Sequence, residues 1–532
     1  MNSLSEKQRM CRREGISTGW RRVQRLAVLW GLSLFAAGDQ RLAEAQSGEA
    51  TLWLQPACTA WFAEADWQTP ASQAIAEADC GDPAEARAGG SLPEPVGNDY
   101  VPARSTSTRP ETEPPRYVRT ASDTGWCIFE HADWLDIGLD YRLRYEYRDK
   151  DLRRPEAVLD LPFLLRARGY LGIRELADPL RGYIEFEDAR RYNSEFPADT
   201  RDFNEHEIIQ AVAELYFQEA LGPDRPFRFQ AGRMAFEYVD RRLIARNEWR
   251  NTTNNFEGFR AILGQETNDW QIDLLGLQPV DRRIRSPDVA DRHRWFYGAV
   301  VNWRRWSDVI TLQPYYLVLD QRGGEGREDR EIHTAALRGY GVVGQTGWDY
   351  DGSVVFQYGH HGERRQSALG YTSELGYTWS DHEWKPRLGV FCGYGSGDRD
   401  PNDGVNQRFD RLFGFARPWS ANDYFLWENL LAPKTRLEFQ PHENLRVDMG
   451  YGVFWLASAT DLWANADLHD PTGQSGDFVG HEIDVRARWQ LTPRVDVTLG
   501  YAYFLPGEFV RNQGRPEATN FFYIETLTNA FK

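Results

Sequence analysis

The sequence predicts an all-β chain: a transmembrane up-and-down antiparallel β-barrel of about 18 strands, with long external loops and short periplasmic turns. Three observations predict it. Apolar and charged residues alternate with period two over long stretches. The connections between those stretches alternate long and short. No apolar run reaches the roughly 18 residues a helical span needs.

Period two is clearest in "LDIGLDYRLRYEYR", residues 135–148. Leu135, Ile137, Leu139, Tyr141, Leu143, Tyr145 and Tyr147 share one parity, and Asp136, Asp140, Arg142, Arg144, Glu146 and Arg148 share the other. Side chains alternate across a strand, so one face is apolar and the other charged. In lipid every backbone polar group must be satisfied, and a closed barrel satisfies them all. The apolar face therefore meets hydrocarbon and the charged face looks into a wet lumen. The reverse would put several charges per strand into lipid, at about 2–4 kcal/mol each near the midplane.

The links follow from the same pass. "RELADPL", "ALGPDRP", "QETND", "RRWSD", "GQTGW", "WSDHEWK", "QPHENL" and "QLTPR" are short. "DKDLRRPEAVLD", residues 188–206, 234–255 and 278–293, and stretches near 320–330, 359–367, 395–428, 457–480 and 506–519 are long. Short periplasmic turns and long external loops are the mark of an outer-membrane barrel. A soluble sandwich does not sort its loops by length, and a propeller would repeat every 40–50 residues or so.

Composition agrees. Aromatics are 14% of the 532 residues and Gly numbers 46, which favours strands and tight turns. The net charge of −17 argues against nucleic acid as a partner. Residues 1–45 read as a signal peptide: seven basic residues from Lys7 to Arg25, the apolar stretch "LAVLWGLSLFAAG" at 26–38, then "AEA" at 43–45. Residues 46–120 form a Pro/Ala/Glu-rich extension, expected to be largely disordered, and 121–532 form the barrel. Cys58 and Cys80 read equally as a disulfide or as two unpaired small residues.

Parity assigns the lumen. Arg142, Arg144 and Glu146 point inward, as do Arg166, Arg168 and Arg174 on the next strand. Arg436, Arg446, Asp484, Arg486 and Arg488 do so near the C-terminus, joined by Arg260, Arg338 and Arg387 and by the acidic Glu185 and Glu214. One reading is an arginine ladder: guanidinium forks grip carboxylates and stay charged, so a polyanion passes from one to the next. The other is that Arg and Glu on neighbouring strands pair and fill the lumen. Alternation does not separate the two.

Several motifs carry a resemblance. In "FRFQAGRMAFEYVDRRLIARNEWRNTTNNFEGFRAIL", residues 227–263, Gly232, Arg233, Arg242, Leu243, Trp249, Arg250, Asn251, Thr252, Phe256 and Gly258 fit a strand–loop–strand signature of the alginate export family. Met234 stands where that family has Gln, and Glu257 where it has Asp. "GYGSGDRDPNDGVNQRFDRLFG", "VFWLASATDLW" and "GHEIDVRARWQLTPRVDVTLGYAYFLPGEF" resemble its later segments, and Phe531 suits an aromatic C-terminal assembly signal. The resemblance covers roughly residues 134–531. It implies an 18-stranded outer-membrane barrel that secretes an anionic uronic-acid polysaccharide through an arginine-lined pore. The expected partners are outer-membrane lipid, an anionic polysaccharide or small anions, and periplasmic secretion proteins. A general or substrate-specific uptake porin with a charge-balanced lumen is the alternative. In either reading the arginine-bearing loop 234–255 is a candidate plug.

Other constellations are weaker. Asp398, Asp400 and Asn402 are spaced nearly as in a calcium loop, but Gly404 comes at the seventh position and no Glu closes the twelfth. An Asx-rich turn is the simpler reading, with calcium the lesser alternative and no other cofactor expected. His360 and His361 fall in an expected external loop. No G-x-S-x-G elbow occurs, because Ser396 in "GYGSG" is one place off, so no catalysis is expected.

Overall fold

The computed structural model describes residues 111–154, 159–238, 241–304, 307–324 and 326–531. From Leu135 to Asn529 the wall is an 18-strand antiparallel meander, each strand pairing with the next. The first strand, Leu135–Asp149, also pairs with the last, Thr519–Asn529, with Arg142 opposite Leu527. That pairing closes the cylinder and leaves the ladder without an edge.

Exposure follows the expected parity. On the first strand Leu139, Tyr141 and Leu143 are exposed, whereas Asp140, Arg142, Arg144 and Glu146 are buried. On Phe163–Ala177, Leu171 and Ile173 face out and Arg166 and Arg168 face in. On Phe478–Thr492, Ile483, Val485 and Trp489 face out while Glu482, Asp484 and Arg486 face in.

The ladder outlasts the apolar alternation. Leu180–Tyr192 and Asn204–Phe217 pair as far as Ala189 with Asn204, so the expected loop 188–206 shrinks to 193–203. Past the apolar band the outward side chains are polar and bind one another: Asp188 takes Arg190 at 2.7 Å and His206 at 2.9 Å. The expected loop 359–367 is corrected in the same way. Trp348–His361 and Arg364–Thr378 meet in a two-residue turn, where Gly362 adopts φ +59°. His360 and His361 thus end a strand and face Asp329 at 3.0 Å and Glu328 at 3.1 Å.

Residues 111–120, which composition assigns to the extension, belong with the barrel. Val118–Thr120 pairs with Asp136–Gly138, and the Tyr117 ring sits where a Cβ on Gly138 would come within 2.7 Å of it. The rest of the extension, the signal peptide, Cys58 and Cys80 lie outside the described residues. Gly125–Glu130 are part of a separate compact unit, in which Cys127–Phe129 form a 3-10 turn and Cys127 is disulfide-bonded.

The wet lumen inferred from parity is only part of the interior, because an apolar core lies inside the cylinder. Phe236, Leu243 and Ile244 come from loop 235–255, Trp419, Tyr424, Phe425 and Trp427 from loop 396–429, and Trp463 and Leu468 from loop 456–477. They pack on the inward wall residues Phe256, Phe296, Phe454 and Phe504. Phe425 lies 4.0 Å from the Phe454 ring and 5.0 Å from Trp463. These long links thus fold back into the bore, and two further ones add Leu152, Phe509 and Val510 to the same core.

Leu143→Arg and Val485→Arg put a cation on the outer face at mid-strand. Each is expected to destabilise the barrel by about 2–4 kcal/mol in urea titrations of lipid-refolded protein. A cost near zero would mean that this face does not meet hydrocarbon.

Candidate functional site

The inward arginines of the first two strands converge on loop 235–255. Arg142 donates to the carbonyls of Glu248 at 2.7 Å and Arg250 at 2.8 Å, and to Asn251 Oδ1 at 2.9 Å. Arg144 donates to the Trp249 carbonyl at 2.6 Å, stands 4.0 Å from its ring and pairs with Glu146 at 2.9 Å. Arg166 and Arg168 reach the Glu248 carboxylate at 3.2 and 2.9 Å, and Arg168 also reaches Glu187 at 2.9 Å. Arg246, from the loop itself, joins Glu248 at 3.0 Å and Glu185 at 2.5 Å. One carboxylate therefore receives three guanidinium groups. Asn251 completes the clamp by donating to the carbonyls of Leu165, Arg190 and Asp202.

The loop is also tied to its inward neighbour. Phe413 N–H donates to the Leu243 carbonyl at 2.9 Å. At Gly414 a Cβ would fall 1.8 Å from the Arg242 carbonyl, so only glycine lets the two backbones approach this closely. Arg242 lies against the rings of Phe391 and Trp419. On loop 396–429, Ser420 Oγ donates to Glu482 at 2.6 Å and Ala421 N–H at 2.7 Å, while Arg417 stacks 3.6 Å from Trp249.

The remaining wall arginines are held by carboxylates. Arg387 meets Asp349 at 2.5 Å and Glu374 at 2.9 Å, and Arg338 meets Asp351 at 2.5 Å. Asp448 accepts from Arg436, from Arg486 at 3.1 Å and from Arg488 at 3.2 Å, while Arg436 also meets Asp484 at 3.0 Å. Arg446 pairs with Glu438, and Arg260 pairs with Asp273 at 3.1 Å and with Glu113 at 2.7 Å. Glu214 accepts from Gln230 at 2.8 Å, and Arg233 meets Glu207 and Glu257, both at 2.6 Å. Arg174 sits at the short-link rim, 35% exposed, with Asp136 at 3.1 Å. Of the residues singled out from sequence, Arg233 shares the parity of Ala231, which lies opposite the exposed Phe259, so it turns outward with Glu257. The buried ones, Arg142, Arg144, Arg166, Arg168, Arg260, Arg338, Arg387, Arg436 and Arg486, form a charge-paired lattice inside the wall.

At the long-link end a cavity of about 160 Å³ opens between the wall and the loops. Seven arginines and five carboxylates line it, so its lining is cationic on balance. Arg153 is held by Asp151 at 2.7 Å and Arg201 by Asp199 at 2.7 Å. Arg154 stacks 4.1 Å from Phe196 and has no carboxylate partner among the described residues. Arg250 has Asp423 no nearer than 3.9 Å. Burial, with the like charges of Arg201, Arg282 and Arg411 alongside, pushes its guanidinium down to about 10. These loop arginines escape the parity argument because they are not on strands.

Asp398 turns to Arg364 at 2.8 Å, while Asp400 and Asp403 accept backbone N–H groups within their own turn. The candidate calcium residues therefore do not converge.

The profile of the alginate export family matches residues 133–524. The chain belongs to the alginate export family. The clamp around Glu248 falls within the matched region. No match is found among curated proteins. Among solved structures, the chain is similar to Pseudomonas aeruginosa OpdK with vanillate, at 11% identity and TM-score 0.51, over 74% of this chain and 98% of that one. It is also similar to Pseudomonas aeruginosa OccK8 (OprE), at 12% identity and TM-score 0.50, over 74% and 98%. These likenesses show the fold. With family and fold together, this alginate export family member is an outer-membrane channel.

Loop 235–255 crosses the bore, so deleting residues 240–250 is expected to raise single-channel conductance several-fold in planar bilayers. Unchanged conductance would mean that the ion path runs elsewhere.

Proposed function

We propose that this channel exports an anionic polysaccharide, an alginate-like uronic-acid polymer, through the outer membrane. The observation that carries the reading is the cationic cavity at the long-link end, where Arg154 has no carboxylate partner among the described residues and Arg250 has Asp423 no nearer than 3.9 Å. Long links face outward in barrels of this kind, so the cavity lies where a secreted chain would emerge. Planar guanidinium donors suit sugar carboxylates, and contacts strong enough to admit yet weak enough to release favour transit. Family membership supports the substrate class.

A second reading is an uptake porin with a charge-balanced lumen, favoured by the lattice that pairs Arg387, Arg436 and Arg486 with aspartates. Reversal potentials in planar bilayers under a salt gradient discriminate. The exporter reading expects anion preference in the intact protein, weakened at least several-fold by Arg154→Glu with Arg250→Glu. Cation preference in the intact protein would overturn it in favour of the porin.

A further inference from the structure

We propose that residues 111–120 are a latch that enters the bore from the short-link end and holds loop 235–255 inward, with Glu113 occupying a carboxylate subsite on Arg260. The proposal rests on reading the barrel as a channel, and deepens it by naming what keeps the channel shut.

The anchor of the latch is Val118–Thr120. Its ladder on Asp136–Gly138 continues below the last strand, whose pairing ends at Asp140 with Asn529. From this anchor the chain leaves the wall and crosses the bore. Tyr117 Oη donates to Glu185 at 2.6 Å on the third strand. The Arg260 Nη1 nitrogen, on the strand Phe256–Leu263, donates to both Glu113 oxygens, at 2.7 and 2.8 Å. Glu111 N–H donates to Glu237 at 2.9 Å, inside loop 235–255.

Each of these contacts ends on the loop or on a wall residue that also holds the loop. Glu185, which receives Tyr117, receives the loop's Arg246 at 2.5 Å on the same oxygen. Arg260, which receives Glu113, shares Asp273 with the loop's Tyr238, whose hydroxyl donates at 2.6 Å. The Arg260 guanidinium also lies 5.1 Å from the rings of Phe236 and Tyr238. The segment and the loop are thus two stoppers, one from each end, that meet on shared partners.

The latch is built to release. The Glu113 side chain is 34% exposed, so withdrawing it returns a carboxylate to water and does not strand it in a dry core. Arg260 keeps Asp273 when Glu113 leaves. Pro114 and Pro115 stiffen the segment between its contacts, which lowers the entropic cost of docking it. A carboxylate on an incoming polymer can take the place of Glu113, since Arg260 donates to both oxygens of that group.

The test is amide hydrogen exchange on the full chain in detergent, comparing Glu113→Gln with Tyr117→Phe against the parent protein. Exchange at residues 241–246 is expected to speed up about ten-fold, with the wall strands unchanged as an internal control. Tyr117→Phe with Glu113 intact is expected to keep most of the protection that the double variant loses, which isolates the carboxylate on Arg260 from the tyrosine. Unchanged exchange in the double variant, or the same exchange in the double variant and in Tyr117→Phe alone, overturns the latch. Neither result depends on ion conduction, so failure of the latch is separable from failure of the exporter reading, which the reversal potentials decide.

Discussion

The closed ladder with one parity turned to lipid is the constraint on which the rest depends. Once Leu139, Tyr141 and Leu143 must face hydrocarbon, Asp140, Arg142 and Arg144 have no direction left but inward. Eighteen strands repeat that division around the wall, and the interior collects charges that a soluble core would exclude. Buried ions are tolerated only when paired or hydrogen-bonded. The contents of the bore are therefore a consequence of the wall: it has to supply partners for its own arginines.

Two different solutions meet inside the cylinder. Around Asp448 and Glu438 the wall supplies its own counter-ions, and arginines from adjacent strands share one carboxylate. Around Arg142 and Arg168 the partners come from a loop, which brings Glu248 and three backbone carbonyls to four arginines. The apolar residues of the inward loops are packed among the polar contacts and against Phe296 and Phe454, and this gives the plug a core of its own. The plug is consequently a small folded object inside a barrel, held by charge on one side and by aromatic packing on the other.

Fold and sidedness of the wall were legible in the sequence because lipid enforces a period of two and because turn lengths sort by end. The apolar alternation places long links at 188–206 and 359–367, wider than they are, for a physical reason: hydrogen bonding between strands does not stop where the apolar band stops. Inward residues such as Arg168 and Arg486 could be named from parity, but their partners could not. Asp448 is one strand away in the ladder, whereas Glu248 arrives from a loop whose path no local pattern encodes. A signal for Glu248 did exist, an acid between Arg246 and Arg250 in the family motif, but its reading required knowing that the loop turns inward. Arg154 and Arg250 show the same limit, since a loop arginine has no parity to place it.

Under the proposed export function, the two readings of the lumen that sequence leaves open describe two states of one wall. With loop 235–255 inside, Glu248 and the carbonyls of residues 248–250 cap Arg142, Arg144, Arg166 and Arg168. Were the loop to withdraw, those four guanidinium groups would keep only the wall carboxylates near them, Asp140, Glu146, Glu187 and Glu525. The carbonyl caps would go at the same time, leaving donors pointed into the bore without acceptors. A guanidinium in that position gains from any carboxylate that enters. On the proposed export function, the loop stands in for a polyanion: it presents one acid and a row of oxygens to the surface a uronate chain would touch. On that reading these four arginines stay matched by four wall carboxylates whether the loop is in or out, and what withdrawal changes is the number of guanidinium donors left unfilled.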